Sequence, residues 1–398
     1  MNKNTKIKSP KGFLFSTAEA AIKKAGRKDL GLILSETEAV VAGVFTANKV
    51  KAAPVKLDIK RIRSGKGRAI IVNSGNANAC TSEQGQKDAL EMTELTAGAL
   101  GLKAGSVYVC STGVIGAFMP MERIRAGITM LSSSLGRSGI EDVAAAIMTT
   151  DTFPKIVSRR IKIADVNVTI TGICKGAGMI CPNMATMLCF ILTDAAIERP
   201  ALDKALRSAV EQSFNLITVD GDMSTNDTVL IIANGKAGNS PIEQSSAAFE
   251  IFSSALARIT LELSEMIIRD GEGASKFVKV IVRNARNYEE AKRGAFAIAN
   301  SMLVKTALCG NDANWGRIIA ALGYSGINVK EDKIDIVLNG VKVAAKGIST
   351  GKDKDANERL KAGEIIIVAD LHLGKGTATV LTSDLTEEYV RINAEYRT

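Results

Sequence analysis

Residues 175–192 read Lys-Gly-Ala-Gly-Met-Ile-Cys-Pro-Asn-Met-Ala-Thr-Met-Leu-Cys-Phe-Ile-Leu. A glycine-rich turn runs through Pro182 and Asn183 to Ala185 and Thr186, and an apolar, strand-like run follows. A threonine at such a junction is ordinarily a strand opener with β propensity. It also has a chemical reading. If the bond between Ala185 and Thr186 is cut, Thr186 becomes N-terminal. Its own α-amine, with a free pKa of about 7.7–8.0, can then take the hydroxyl proton. Such a nucleophile needs no histidine, and this chain has a single one, His372. Acyl chemistry also needs donors for an oxyanion. Residues 111–116, Ser-Thr-Gly-Val-Ile-Gly, are the best candidates, because they directly follow an expected strand at 107–110. Gly113 lets a backbone N–H approach a ligand closely, and the Thr112 hydroxyl adds a second donor.

Other chemistries find less support. One histidine excludes a multi-histidine metal site, and a Ser-His-Asp triad could rest only on His372. That residue reads as a packed or turn histidine at a strand end. Six cysteines include no CxxC pair, so a zinc knuckle or thioredoxin motif is not expected. Cys174 and Cys181 flank the glycine-rich loop, but neither has a histidine nearby in sequence to lower its pKa. P-loop, dinucleotide and nucleophile-elbow motifs are missing. Residues 220–227 (Asp-Gly-Asp-Met-Ser-Thr-Asn-Asp) resemble a calcium loop but lack its glycine and its closing acid. They read better as a hydrogen-bonded turn, and no metal or organic cofactor is expected.

These groups need a scaffold. With 398 residues, the chain has room for one large domain or two to three smaller ones. At 46% hydrophobic and 23% charged it is ordinary globular protein. Aromatics at 4% and 35 glycines imply a core of Ala, Val, Ile and Leu with many close backbone approaches. Strands are expected at 30–34, 69–73, 107–110, 166–172, 228–233, 279–282, 335–338 and 364–370, bounded by Gly, Asn and Asp. Helices are expected at 86–100, 139–149, 199–214, 247–270, 287–304 and 314–322. In 247–270 the spacing of Phe249, Phe252, Leu256, Ile259 and Leu263 makes one apolar face, read as core. Residues 346–357 read as an exposed turn region. The alternation predicts an α/β or α+β fold of layered sheets and helices.

The charge is uneven. Residues 1–70 hold 16 Lys or Arg against 5 Asp or Glu, while the whole chain is only +9. A nucleic-acid arm would look like this. The charges are interleaved with apolar runs and few aromatics, so solvated faces are the preferred reading and nucleic acid is not an expected partner. No apolar run approaches 18 residues, and the start lacks a cleavable apolar segment. A reduced cytoplasmic setting without membrane contact is the expectation.

The order of motifs resembles the ornithine acetyltransferase (glutamate N-acetyltransferase) family of arginine biosynthesis nearly end to end. The resemblance rests on residues 10–13, 27–30, 44–54, 73–80, 111–116, 149–152, 175–188, 220–228, 312–317 and 393–398. It implies self-cleavage between Ala185 and Thr186, giving an alpha fragment 1–185 and a beta fragment 186–398 that stay associated, usually as two copies of each. Thr186 would be the acetyl-accepting nucleophile, with Thr112 and Gly113 stabilising the oxyanion. Thr152, Lys175, Thr186, Glu272, Asn393 and Thr398 match the substrate-binding positions. Lys175 suits a carboxylate and Glu272 an ammonium. The implied reaction moves acetyl from N2-acetylornithine to glutamate by a ping-pong route. Acetyl-CoA is a further candidate donor, and an N-terminal-nucleophile aminopeptidase or amidohydrolase is the alternative. Three positions depart from the pattern: Ser82 for glycine, Met223 for a small polar residue, and Ala313 for a proline, the last expected to loosen a turn.

Overall fold

The computed structural model describes residues 7–181 and 187–395. Eight strands form one sheet: β1 Phe13–Ala18, β2 Leu30–Phe45, β3 Lys66–Asn76, β4 Val107–Val114, β5 Lys155–Ile163, β6 Val166–Lys175, β7 Leu188–Thr193 and β8 Thr228–Ala233. Their order is β4-β3-β2-β8-β7-β6-β5, with β1 beside the first half of β2. Pairs β3–β4 and β7–β8 are parallel, and the remaining pairs are antiparallel. The 16-residue β2 shifts register between Leu34 and Ala39, so its first half pairs with β1 and its second with β8.

Burial on both faces explains the continuous apolar runs of the central strands. In β7 and β8, Cys189, Ile191, Val229 and Ile231 face helices Arg199–Glu211 and Ala247–Arg269. Their neighbours Leu188, Phe190, Leu192, Leu230 and Ile232 share a second core with Ile33, Ile70, Val72, Tyr108 and Cys110 from β2, β3 and β4. The two halves of the sheet therefore face each other across one apolar layer. Helices Ser82–Leu100 and Met121–Ser133 cover the other side of β1–β4. The expected stripe from Phe249 to Leu263 is core, and Ser246 caps its helix by accepting from the Phe249 amide.

A second sheet follows: β9 Phe277–Ala285, β10 Asp335–Leu338, β11 Val341–Ala345, β12 Ile348–Ser349, β13 Glu364–Asp370 and β14 Gly376–Ser383, in the order β12-β11-β10-β13-β9-β14. It has its own apolar core with helices Tyr288–Ala299 and Trp315–Tyr324. The mixed, layered architecture is the expected one. Several details differ. The helix expected over 287–304 is two, because Ser301 caps a new helix, Met302–Cys309, through the Val304 amide. The expected turn region 346–357 carries β12 and the start of helix Asp353–Leu360, whose only buried residues are Ala356 and Leu360. Ala313 is not a loosened turn: it is buried, and its amide donates to Asn357 Oδ1 at 2.7 Å, a bond proline would lose. Ser82, where glycine was expected, holds a φ of +54°.

Candidate active site

The expected oxyanion segment is the end of β4, which runs on to Val114 in parallel with β3. Here Gly75 pairs with Gly113, and the register shifts at Asn76. Gly113 has φ +134°, and a Cβ on it would lie 2.3 Å from the Gly75 carbonyl carbon, so no other residue fits without moving β3. Neighbouring side chains hold this strand end. Asn226 Nδ2 donates to Ala77 O at 2.7 Å and to Ser111 O at 2.8 Å, and Ser111 Oγ donates to Asn73 Oδ1 at 2.6 Å. All three side chains are buried.

Lys175 ends β6. It is buried, and its Nζ lies 3.5 Å from Thr112 Oγ1. Burial lowers its pKa, and nearby Asp151 acts in the opposite direction. Asp151 accepts from the Gly176 amide and from Lys155 Nζ, each at 2.7 Å. Burial works against its charge, but Lys175 and Lys155 hold its carboxyl at about 2. Lys155, itself fully buried, bridges Asp151 to Asp270 just beyond helix Ala247–Arg269. Asp270 accepts from the amide and hydroxyl of Thr152. One network of alternating charge thus spans the bases of β5 and β6 and the end of that helix.

Glu272 closes the far side. Its amide donates to Ala177 O at 2.9 Å, and its Oε2 accepts from Asn393 Nδ2 at 2.9 Å. Gly178 leaves the space that the Glu272 carboxylate uses, since a Cβ there would come within 2.2 Å of Oε2. Thr112, Gly113, Lys175 and Glu272 line a single cavity with Thr149, Thr150, Gly178 and Asn226. Asn393, on helix Glu387–Glu395, joins through Glu272. Thr152 does not line that cavity; it is exposed and engaged with Asp270. Ala185, Thr186 and Thr398 lie outside the described residues. Sequence still places Thr186 next to Met187, and Met187 is well anchored. Its amide donates to Asp227 Oδ1 at 3.0 Å, and its carbonyl accepts from Thr228 at 3.1 Å. In the ladder Lys175 pairs with Leu188, and Leu188 with Thr228.

The alternatives lose ground on geometry. Cys174 is buried, and burial pushes its thiol up to about 12; burial likewise pushes the Cys181 thiol up to about 12. Neither supplies a thiolate at neutral pH. His372 is a turn residue with φ +49° after β13, half-exposed beside Asp335 and Asp370. The calcium-like segment is a hydrogen-bonded turn: Asp220 accepts from the amides of Met179, Ile180 and Asp222. Among the described residues no group of three His, Cys, Asp or Glu side chains is placed to hold a metal, and no helix is long and apolar enough to cross a membrane. Asn226, Asp151, Lys155 and Asp270 were given no role from sequence. Asn226 and Asp151 fall in quoted motifs, 220–228 and 149–152, which was the available signal.

Residues 14–398 match the ArgJ family model. The chain is 55% identical over 390 residues to the arginine biosynthesis bifunctional protein ArgJ of Geobacter sulfurreducens, covering 98% of this chain and 99% of that protein. It is 48% identical over 398 residues to the protein of the same name from Caldanaerobacter subterraneus subsp. tengcongensis, covering 99% and 98%. A solved crystal structure of arginine biosynthesis bifunctional protein ArgJ from Bacillus halodurans is 44% identical with a TM-score of 0.50, and the match covers 52% of this chain and 98% of that one.

Proposed function

The chain belongs to the ArgJ family and is an enzyme of arginine biosynthesis, and on that premise we propose that it transfers acetyl from N2-acetylornithine to glutamate through Thr186. The observation that carries the reading is the shared cavity of Thr112, Gly113, Lys175 and Glu272, beside the strand that starts two residues after Thr186. Self-cleavage frees the Thr186 α-amine. Thr186 Oγ attacks the acetyl carbonyl, and the amine takes its proton. The donors at Thr112 and Gly113 stabilise the oxyanion, each worth roughly 10²–10³ in rate. Collapse expels ornithine, protonated by the same amine, and leaves an acetyl ester on Thr186. Glutamate then attacks the ester and leaves as N-acetylglutamate.

Both substrates carry an α-carboxylate. Lys175 offers it a buried cation, while Glu272, steadied by Asn393, offers a carboxylate to the ornithine side-chain ammonium. Thr152 and Thr398 complete the proposed binding set, with Thr152 held by Asp270. The scheme needs no metal or organic cofactor, and acetyl-CoA enters it only as a second acetyl donor. The reading extends to a cytoplasmic assembly of two alpha and two beta fragments. The Bacillus halodurans chain, matched over 98% of its own length by about half of this one, is consistent with separate fragments.

Denaturing mass spectrometry of purified protein is expected to show fragments of 185 and 213 residues. Thr186→Ala is expected to leave one uncut chain without transfer activity. With N-acetylornithine alone, acetyl should accumulate on the larger fragment until glutamate is added. Steady release of acetate without glutamate would instead mark a hydrolase.

A further inference from the structure

Asn226 sits in the turn before β8, is buried, and lines the same cavity as Thr112 and Gly113. β4 is the end strand of the first sheet, with β3 as its strand neighbour, so its other edge faces side chains. Along a strand, successive residues turn their N–H and C=O to opposite edges. The Val114 carbonyl accepts from Ala77 N at 3.0 Å, on the β3 side. The Val109 amide turns the other way, to Asp58 Oδ1 at 3.2 Å. Ser111 and Gly113 share the direction of Val109. The Ser111 carbonyl accordingly accepts from Asn226 Nδ2 at 2.8 Å, and the next N–H on that edge is the one of Gly113. The same Nδ2 donates to Ala77 O at 2.7 Å, just past the register shift at Asn76. Both protons of the amide are thus spent on backbone, one at each strand end. Its orientation is set from behind, because Thr225 Oγ1 donates to Asn226 Oδ1 at 2.6 Å. The turn itself is pinned: Thr46 N donates to Asp227 O at 2.9 Å, and Ala52 N to Thr225 O at 3.0 Å.

We infer that Asn226 is a positioning residue for acetyl transfer: it stands in for a neighbouring strand on the open edge of β4 and stops one amide short, so that the Gly113 N–H is aimed into the cavity. The inference rests on the proposed function, in which that N–H stabilises the oxyanion. The Ser111 carbonyl lies one peptide before the Gly113 N–H. Gly113 itself, with φ +134° and no Cβ, has no side chain to hold its place. The position calls for two donors on one flat group. Alanine would leave both carbonyls without their donor, and a carboxylate of the same shape would set charge against them. With its protons engaged, Asn226 acts on the reaction through Gly113. Its loss should therefore slow the chemistry and spare the binding of the ground state.

The test is acetyl transfer from N2-acetylornithine to glutamate by the full chain, with kcat taken per mole of protein cut at 185–186. Asn226→Ala and Asn226→Asp should lower kcat about 100-fold, while KM for each substrate stays within about threefold. A phosphonate analogue of N2-acetylornithine, whose tetrahedral anionic phosphorus stands in for the oxyanion, should lose affinity by a similar factor, and ornithine should lose none. An unchanged kcat, a rise in KM at constant kcat, or equal losses of affinity for the analogue and for ornithine overturns the inference. Should the Asn226 variants fail to fold or to be cut, Thr225→Val decides. It frees the amide to turn over, so kcat should fall at least about threefold with KM kept, and an unchanged kcat overturns the inference. A wild type that moves no acetyl between these substrates would instead overturn the proposed function.

Discussion

The two sheets treat charge in opposite ways. In the first, Lys155, Lys175, Asp151 and Asp227 are buried at or just before strand ends, and Lys175 lines the cavity. In the second, charged pairs such as Lys342–Asp335 and Arg283–Asp370 each keep at least one half-exposed partner, and the interior is Val, Ile, Leu and Ala. Its buried Lys305 is closed off, donating to Thr382 Oγ1 and the Ser383 carbonyl. Among the described residues the second sheet reaches the site through the segment before β9, which carries Glu272, and helix Glu387–Glu395, which carries Asn393. Buried charge is expensive unless paired. The second sheet also buries Lys276, Lys305, Asp370 and Asp384, but among the described residues only the first holds a lysine, Lys155, buried between two buried carboxylates.

Breaking the buried network should separate the sheets most clearly. Lys155→Met leaves Asp151 and Asp270 without their shared cation and is expected to cost about 3–5 kcal/mol, read as a fall in the urea midpoint. A cost below about 1 kcal/mol, the level of exposed pairs, would erase the contrast. Acid titration is the next largest effect. Asp151 is held at about 2 against an unfolded value near 3.9, so its contribution is present above about pH 4 and is lost as pH falls through about 2. Asp151→Asn should remove on the order of 2 kcal/mol of that acid-sensitive stability. Asp335 is also held at about 2; burial opposes its charge and Lys342, the Lys346 amide and His372 favour it, but solvent screening leaves a smaller share to lose. The smallest effect belongs to that second-sheet pair. Lys342→Met should shift stability by no more than about 0.5 kcal/mol and leave acetyl transfer unchanged, measured by the same denaturation and a ninhydrin-free coupled assay.

Much of this was legible in the sequence where one signal dominated. Strands 228–233, 335–338 and 364–370 have the expected bounds because apolar runs meet clear punctuation. β5 went unread because it alternates charge, as Lys-Ile-Val-Ser-Arg-Arg-Ile-Lys-Ile, and only three of its nine residues are buried. Helix Asp353–Leu360 offered just Ala356 and Leu360 as a periodic signal. Within the site, Thr112 and Gly113 were legible as a glycine turn directly after a strand, and Lys175, Glu272 and Asn393 came with the family resemblance. Lys155 did not, since a lysine opening a strand reads as solvated. Its burial depends on Asp151 four residues before it and Asp270 far along the chain, a compensation only the tertiary structure supplies.

The interleaving of the first sheet bears on what the proposed cut before residue 186 would do. The two sides of residue 186 are not separate bodies, because β8 lies between β2 and β7, and β7 between β8 and β6. A nick there would add two chain ends without cutting through a strand pair. Pulling the pieces apart would mean unzipping a sheet from its middle, so the proposed maturation would resemble opening a clasp within woven cloth more than parting two beads on a string.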